Sequence, residues 1–154
     1  MQLRCAIIIA MKKNILALDL GKGSLGMAIS RSGLFVTLLE NLRFQATHYD
    51  EALKGVAKVM EEEMVESIVI GLPLFPSGDP CEMTPIVERF IGMLEKRFPG
   101  IPITKQDERN STVEAAALLH EQGKNAKKQR KTIDSAAAGV ILQRYLRSIG
   151  QYED

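Results

Sequence analysis

The stretch Ile15-Leu16-Ala17-Leu18-Asp19-Leu20-Gly21 decides the fold that we expect for this chain. The uninterrupted apolar run Ile15–Leu18 predicts a strand that is buried on both faces, as in a sheet covered by helices. The strand is expected to end at Asp19 and to lead into a turn at Gly21 and Gly23. This places an acidic side chain at the carboxyl end of a strand, where open α/β sheets bind their ligands.

The rest of the chain predicts further strands and then helices alternating with strands. The further strands are expected at Leu25–Ser30, Leu34–Phe44, Ser67–Ile70 and Ile101–Gln106. Helices are expected at Asp50–Glu63, from the Thr84 cap and Pro85 to Phe98, from the capping box at Ser111 to Gly123, and at Ile133–Ile149. The order βββαβαβαα predicts an α/β fold in which helices flank a mixed five-stranded sheet.

Length and composition are those of an ordinary globular chain. It has 154 residues, of which 45% are hydrophobic and 25% are charged. We therefore expect one domain over residues 14–149, with an N-terminal tail at 1–13 and a C-terminal tail at 150–154. Translation from Met11 is an alternative to translation from Met1, because the first clear strand begins soon after Met11.

The N-terminus and the cysteines indicate a cytoplasmic protein. The apolar run Ala6–Ala10 is too short for a signal peptide or a membrane helix, and Lys12 and Lys13 follow it. Cys5 and Cys81 are not spaced as a metal or redox pair, so we expect free thiols in a reducing compartment. No contact with a membrane is expected.

Acidic residues occur at three places that the predicted topology brings to one edge of the sheet. Asp19 ends the first strand, Asp107 and Glu108 follow the last one, and Asp134 lies near the start of the final helix. Carboxylates about 4 Å apart repel each other by roughly 1–4 kcal/mol per pair, which a divalent cation would relieve. Carboxylate oxygens suit Mg²⁺ or Mn²⁺. Each acid could instead serve a turn or a helix N-terminus, but together they favour a metal site.

Basic residues are concentrated in one run, although the net charge is only +1. The run lies just before Asp134 and consists of Lys124, Lys127, Lys128, Arg130 and Lys131. It could be a solvated loop or a contact to backbone phosphates. Arg109, beside the acidic pair, could likewise be a salt-bridge partner or a phosphate clamp. Because no aromatic residues are interleaved with the basic run, stacking on single strands is not indicated there.

Four motifs, in order and over nearly the whole chain, resemble the YqgF family, also called RuvX. They are Ala17-Leu18-Asp19-Leu20-Gly21, Ile70-Gly71-Leu72-Pro73-Leu74, Asp107-Glu108-Arg109-Asn110-Ser111-Thr112 and Ile133-Asp134-Ser135-Ala136-Ala137-Ala138. The resemblance implies a ribonuclease H-like fold and metal-dependent phosphodiester hydrolysis, in maturation of precursor 16S ribosomal RNA or in Holliday junction resolution. Asp19, Asp134 and the Asp107-Glu108 pair match the family's acidic residues. Either member of the pair could face the metal.

Two positions depart from the family pattern. The family usually has Thr-Lys-Arg after the first motif, where this chain has Lys22-Gly23-Ser24. An arginine is therefore missing, although Lys22 could contact phosphate from a shifted position. Ser77 replaces the usual acid that follows the second motif, and Asp79 is displaced from it. These departures affect the expected substrate binding more than the expected metal site.

We therefore expect a nuclease that uses two Mg²⁺ or Mn²⁺ ions, bridged by Asp19, on precursor ribosomal RNA or branched DNA. The expected metal ligands are Asp19, Asp107 or Glu108, and Asp134, and the expected phosphate contacts are Lys22, Arg109, Lys127, Lys128, Arg130 and Lys131. Two alternatives stay open: a nucleotide-binding domain of the actin or sugar-kinase type, and a nucleic-acid-binding protein whose activity has decayed. A homodimer is also left open.

Overall fold

A central sheet carries helices on both faces. The computed structural model describes residues 14–109, 117, 118, 120 and 135–150. Its strands are β1 (Ile15–Leu20), β2 (Ser24–Ser30), β3 (Thr37–Leu38), β4 (Leu42–Arg43), β5 (Ser67–Leu72) and β6 (Ile103–Asp107). The helices with both ends described are α1 (Tyr49–Glu62), α2 (Met83–Arg97) and α3 (Ala136–Ser148). Within these residues no helix is both long and apolar enough to cross a membrane.

The sheet is mixed, as predicted. Its order is β3-β2-β1-β5-β6, and β4 also pairs with β2. The pairs β1–β5 and β5–β6 are parallel, whereas β2 is antiparallel to β1, β3 and β4. The carboxyl ends of β1, β5 and β6 therefore lie at one edge of the sheet, as predicted.

The prediction of a single third strand over Leu34–Phe44 is wrong, so the sheet has six strands instead of five. Leu38 is opposite Ala28 and Leu42 is opposite Leu25. Residues 39–41 thus face only two residues of β2. The extra residue interrupts the ladder as a β-bulge does and divides the strand in two.

Side chains alternate between the two faces of β1 and divide the core accordingly. Leu16, Leu18 and Leu20 pack in a cluster with residues of α1 and α2. Ile15 and Ala17 pack in a second cluster with residues of α3. Asp19 continues the second series, so its side chain lies on the α3 face of the sheet.

The predicted start of α2 is also corrected. The helix begins at Met83, and Thr84 lies in its first turn instead of capping it. The Thr84 hydroxyl donates to the Pro73 carbonyl oxygen at 2.5 Å and accepts from the Cys81 N–H at 2.8 Å. The side chain predicted as a cap instead fastens the loop between β5 and α2. The predicted capping box at Ser111 and the predicted start of the last helix at Ile133 lie outside the described residues.

Candidate active site

The site is built around Asp19, whose neighbours on the α3 face of the sheet are glycines. Asp19 is in register with Gly26 of β2, and the pairing of Leu18 with Ile70 places Gly71 of β5 beside it on the other side. A glycine inside a strand often marks a place where another group approaches the backbone closely. Two of them flank the Asp19 carboxyl and leave space above the sheet.

Glu108 fills the space over Gly71. A Cβ atom on Gly71 would lie 2.6 Å from Glu108 Oε2 and would also collide with Ile141 Cδ1. The Glu108 side chain hydrogen-bonds the Asp19 side chain. Because β5 separates β1 from β6, the two strands are roughly 10 Å apart. The carboxyls therefore meet across Gly71 only because this residue has no side chain.

The two carboxyls share a proton at neutral pH. Burial, the charge of Asp19 and the hydrogen bond with Asp19 together raise the pKa of Glu108 to about 8. Burial also raises the pKa of Asp19, against a lowering by the hydrogen bond from Glu108. Among the described residues, the other charged groups that act on Glu108 are Cys81 and Asp107, and both raise its pKa as well. With its pKa at about 8, Glu108 can carry the proton of this hydrogen bond at neutral pH.

Asp107 has a different partner. Its Oδ1 accepts from the Arg109 backbone N–H at 2.9 Å, and its Oδ2 accepts from Arg109 Nε at 2.7 Å and lies 2.6 Å from Nη2. The hydrogen bonds from Arg109 lower the pKa of Asp107. Its carbonyl oxygen accepts from Arg144 Nη1 at 3.0 Å. Of the two adjacent acids, the structure thus brings Glu108 to Asp19 and turns Asp107 to Arg109.

The two predicted phosphate contacts that the structure describes are both paired with acids. Lys22, in the turn after β1, lies 2.7 Å from Glu82 Oε1, and both side chains are exposed. Arg109 forms the ion pair with Asp107 and also donates to the Pro76 carbonyl oxygen at 3.4 Å. Of the two interpretations of Arg109, the structure shows the salt-bridge partner.

The N-terminal end of α3 lies close to this edge. Ser135, which precedes the helix, accepts a hydrogen bond from the Met27 N–H through its Oγ at 3.1 Å. Met27 follows Gly26, the register partner of Asp19. The predicted ligand Asp134 and the predicted basic contacts lie outside the described residues, the latter being Lys127, Lys128, Arg130 and Lys131.

The sequence analysis named Cys81 only as a free thiol and did not predict its place beside the site or the role of Gly71. The Cys81 thiol acts on the pKa of Glu108 and is itself within hydrogen-bond reach of Thr84 Oγ1, at 3.5 Å. No pattern in the sequence indicates that contact. Gly71 did leave a signal, since it follows the apolar run of β5 without a break and precedes Leu72-Pro73.

The donor set fits a hard divalent cation. Within the part of the chain that the structure describes, no three or more His, Cys, Asp or Glu side chains form a metal-binding group. Asp19 and Glu108 nevertheless supply adjacent carboxyl oxygens, the ligand type preferred by Mg²⁺ and Mn²⁺. A cation would replace the shared proton and remove the repulsion between the two ionised groups.

Comparison with known proteins gives one consistent family. The model of the family described as RuvX, Holliday junction resolvase, matches residues 13–148. A Burkholderia lata protein named as a candidate pre-16S rRNA nuclease is 35% identical over 90% of this chain and 92% of its own length. A Burkholderia cenocepacia protein of the same name is 36% identical over the same shares.

Solved structures agree on the fold. RuvC of Thermus thermophilus, in complex with a Holliday junction substrate, aligns with a TM-score of 0.58 and 14% identity over 90% of this chain and 97% of that one. The yeast mitochondrial Holliday junction resolvase Ydc2 aligns with a TM-score of 0.53 and 16% identity over 91% and 80%. These likenesses confirm the predicted ribonuclease H-like α/β fold.

Proposed function

The chain belongs to the RuvX family, and on that premise we propose that it is a metal-dependent nuclease that hydrolyses phosphodiester bonds in structured nucleic acid. The substrate that we favour is the 5′ end of precursor 16S ribosomal RNA. The curated relatives are named for precursor 16S rRNA, and the similarity covers nearly their whole length. Branched DNA of the Holliday junction type is the second candidate, since the matching family model is described by it. The observation that carries the proposal is the contact of the Asp19 and Glu108 carboxyls across Gly71.

Asp19 and Glu108 would hold Mg²⁺ or Mn²⁺, which when bound activates water for attack on phosphorus and stabilises the leaving oxygen. Asp134, one residue before Ser135, is proposed to complete the ligand set. The structure changes the role that we give to Asp107. Because its carboxylate is held by three groups of Arg109, we propose that it positions that arginine and does not bind metal.

Substrate binding is proposed to rest on backbone phosphates. Lys127, Lys128, Arg130 and Lys131 would supply affinity without base specificity. Lys22 and Arg109 follow Asp19 and Glu108 in the chain. A phosphate could displace Glu82 from Lys22 or Asp107 from Arg109. The prediction of a cytoplasmic location belongs to this proposal as well, and a homodimer is left open.

The test compares two substrates and two matched variants. Wild type, Asp19→Asn and Asp50→Asn are incubated with Mn²⁺ and either a branched DNA or a precursor 16S ribosomal RNA fragment. Asp50 lies in the first turn of α1, which packs on the face of the sheet opposite to the Asp19 side chain, so its variant controls for the substitution itself. Wild type and Asp50→Asn should cleave at least one substrate, and Asp19→Asn should cleave neither. Equal cleavage by all three proteins, or by none, would refute the proposed catalysis.

A second candidate function is nucleic-acid binding without cleavage. The replacement of the usual Thr-Lys-Arg by Lys22-Gly23-Ser24 favours it, and the ion pair of Lys22 with Glu82 adds to the argument. The retained contact of Asp19 with Glu108 opposes it. Tight binding of either substrate by wild type, with no Mn²⁺-dependent cleavage, would select this function.

A further inference from the structure

Phe75 is an exposed aromatic side chain in the loop between β5 and α2. Its residue is 54% exposed, and it belongs to neither core cluster. The backbone around it is well bonded: the Phe75 N–H donates to the Asp79 carbonyl oxygen at 2.9 Å, and the Gly78 N–H donates to the Phe75 carbonyl oxygen at 2.8 Å. Gly78 has φ +93°, which favours glycine. The loop therefore holds Phe75 outward although nothing in the core needs it there.

Arg109 ties this loop to the acidic edge. The arginine donates to the Pro76 carbonyl oxygen at 3.4 Å, and a Cβ atom on Gly78 would lie 3.2 Å from its Nη1. Arg109 directly follows Glu108, whose carboxyl lies over Gly71. Phe75 is only four residues after Gly71, so chain length keeps it within about 14 Å of that position. The loop that carries the exposed ring thus borders the proposed catalytic groups.

The position distinguishes Phe75 from the other exposed phenylalanine. Phe35 is 74% exposed and follows the turn after β2. Since Ser30 at the end of β2 pairs with Ile15 at the start of β1, that turn lies at the end of the sheet opposite Asp19. Phe35 consequently offers a matched control with the same side chain, a comparable exposure and no proximity to the acidic pair.

Resting on the proposed function, we propose that Phe75 stacks on an unpaired base next to the bond that is cut, and that it thereby selects substrates with an unpaired base at that place. An exposed ring in a loop that Arg109 contacts, next to the proposed phosphate-cleaving centre, matches the two parts of a nucleotide, its base and its phosphate. Stacking tolerates every base, so the selection is for an unpaired nucleotide and not for a sequence. Loss of such a contact weakens binding on the order of 10-fold.

The test uses a fluorescent base in two settings. A substrate carries 2-aminopurine either unpaired or paired at the same position, and binding is titrated with Mn²⁺ in an Asp19→Asn background so that the nucleic acid stays intact. The variants are Phe75→Leu, Phe75→Trp and Phe35→Leu. We expect Phe75→Leu to lose the quenching of the unpaired probe and to bind it about 10-fold more weakly, with unchanged binding of the paired probe. Phe75→Trp should retain both properties, and Phe35→Leu should change neither.

Several outcomes would overturn the inference. Unchanged binding of the unpaired probe by Phe75→Leu would do so, as would an equal loss for both probes or no binding of either probe by the background protein. Because the readout is binding, it does not depend on cleavage: if wild type binds and quenches but never cuts, the nuclease proposal fails and the stacking stands. If wild type cuts and Phe75→Leu binds normally, the nuclease proposal stands and the stacking fails.

Discussion

Two acidic corners at opposite ends of the sheet differ in how their charge is balanced. At the end where β1 begins, Glu63 accepts from Arg31 Nε at 2.9 Å and from Nη2 at 2.8 Å. Arg31 lowers the pKa of Glu63. The Glu63 carbonyl oxygen also accepts from Asn14 Nδ2 at 2.7 Å. The chain itself supplies the cation and the donors that this corner needs.

The other corner, at the carboxyl ends of the same strands, shows the opposite pattern. Every charged neighbour that the described residues place around Glu108 raises its pKa. Among the residues that the structure describes, the guanidinium groups of Arg109 and Arg144 both bond to Asp107. Arg31 neutralises the charge of Glu63, so that site does not need a bound cation. Asp19 and Glu108 have no such cationic partner among the described residues, so a bound cation would neutralise them. This contrast separates the structural acid from the proposed functional ones.

The largest expected effect is the loss of cleavage rate when Glu108 is replaced. We expect Glu108→Gln to lower the cleavage rate by more than the roughly 10–100-fold that follows loss of a supporting partner, because Glu108 is a proposed metal ligand. Glu63→Gln should leave the rate unchanged and should cost roughly 0.2–1 kcal/mol of unfolding free energy, as for other partly exposed pairs. Initial rates with Mn²⁺ and urea unfolding measure the two effects. A Glu108→Gln protein that cuts at the wild-type rate would remove Glu108 from the site.

The next effect tests the glycine that lets the two carboxyls meet. Gly71→Ala places a methyl group against Glu108 Oε2 and Ile141 Cδ1, so we expect a loss of about 1–3 kcal/mol from overpacking and a lower cleavage rate. Gly92→Ala is the matched control, because a Cβ there meets nothing within 4 Å and lies in α2. That variant should gain about 0.5–1 kcal/mol from helix propensity. Urea unfolding compares them, and equal stability changes would contradict the packing argument.

A smaller effect distinguishes the two adjacent acids. If Asp107 acts by positioning Arg109, Asp107→Asn should lower cleavage by about 10–100-fold, the range found when a supporting partner of a site is lost. Its Mn²⁺ affinity should change much less than that of Glu108→Gln. Measuring Mn²⁺ binding by calorimetry for both variants checks this. A Mn²⁺ affinity lost in Asp107→Asn and kept in Glu108→Gln would reverse our assignment.

The sequence predicted which edge of the sheet carries the acids but not which acid faces inward. The apolar runs of β1 and β5 and the alternation with helices were enough to place Asp19 and the Asp107-Glu108 pair together. The choice between Asp107 and Glu108 depends on Arg109 folding back on Asp107 and on the space over Gly71, and both are tertiary contacts. The break between β3 and β4 was missed for a similar reason. One extra residue opposite β2 changes the register without changing the apolar pattern.

The smallest expected effect is on stability, and it follows from the sign of the pKa shifts. Glu108 loses its proton near 4.5 when unfolded but near 8 when folded, so between these values the folded state binds more protons. Its contribution to stability therefore falls as the pH rises through this window. The lowered pKa values of Asp107 and Glu63 act at lower pH, below about 4.5, and do not compete there.

We therefore expect the Tm of wild type to fall by a few degrees more than that of Glu108→Gln between about pH 5 and about pH 8. Saturating Mn²⁺ should reduce the fall, because the cation binds the ionised pair and stabilises the folded state more strongly as the proton leaves. Glu63→Gln should keep the wild-type slope, since its corner is already neutralised by Arg31. Thermal unfolding of the three proteins with and without Mn²⁺ measures these slopes. The contrast would fail if Tm fell equally with pH in wild type and in Glu108→Gln and if Mn²⁺ did not change that fall.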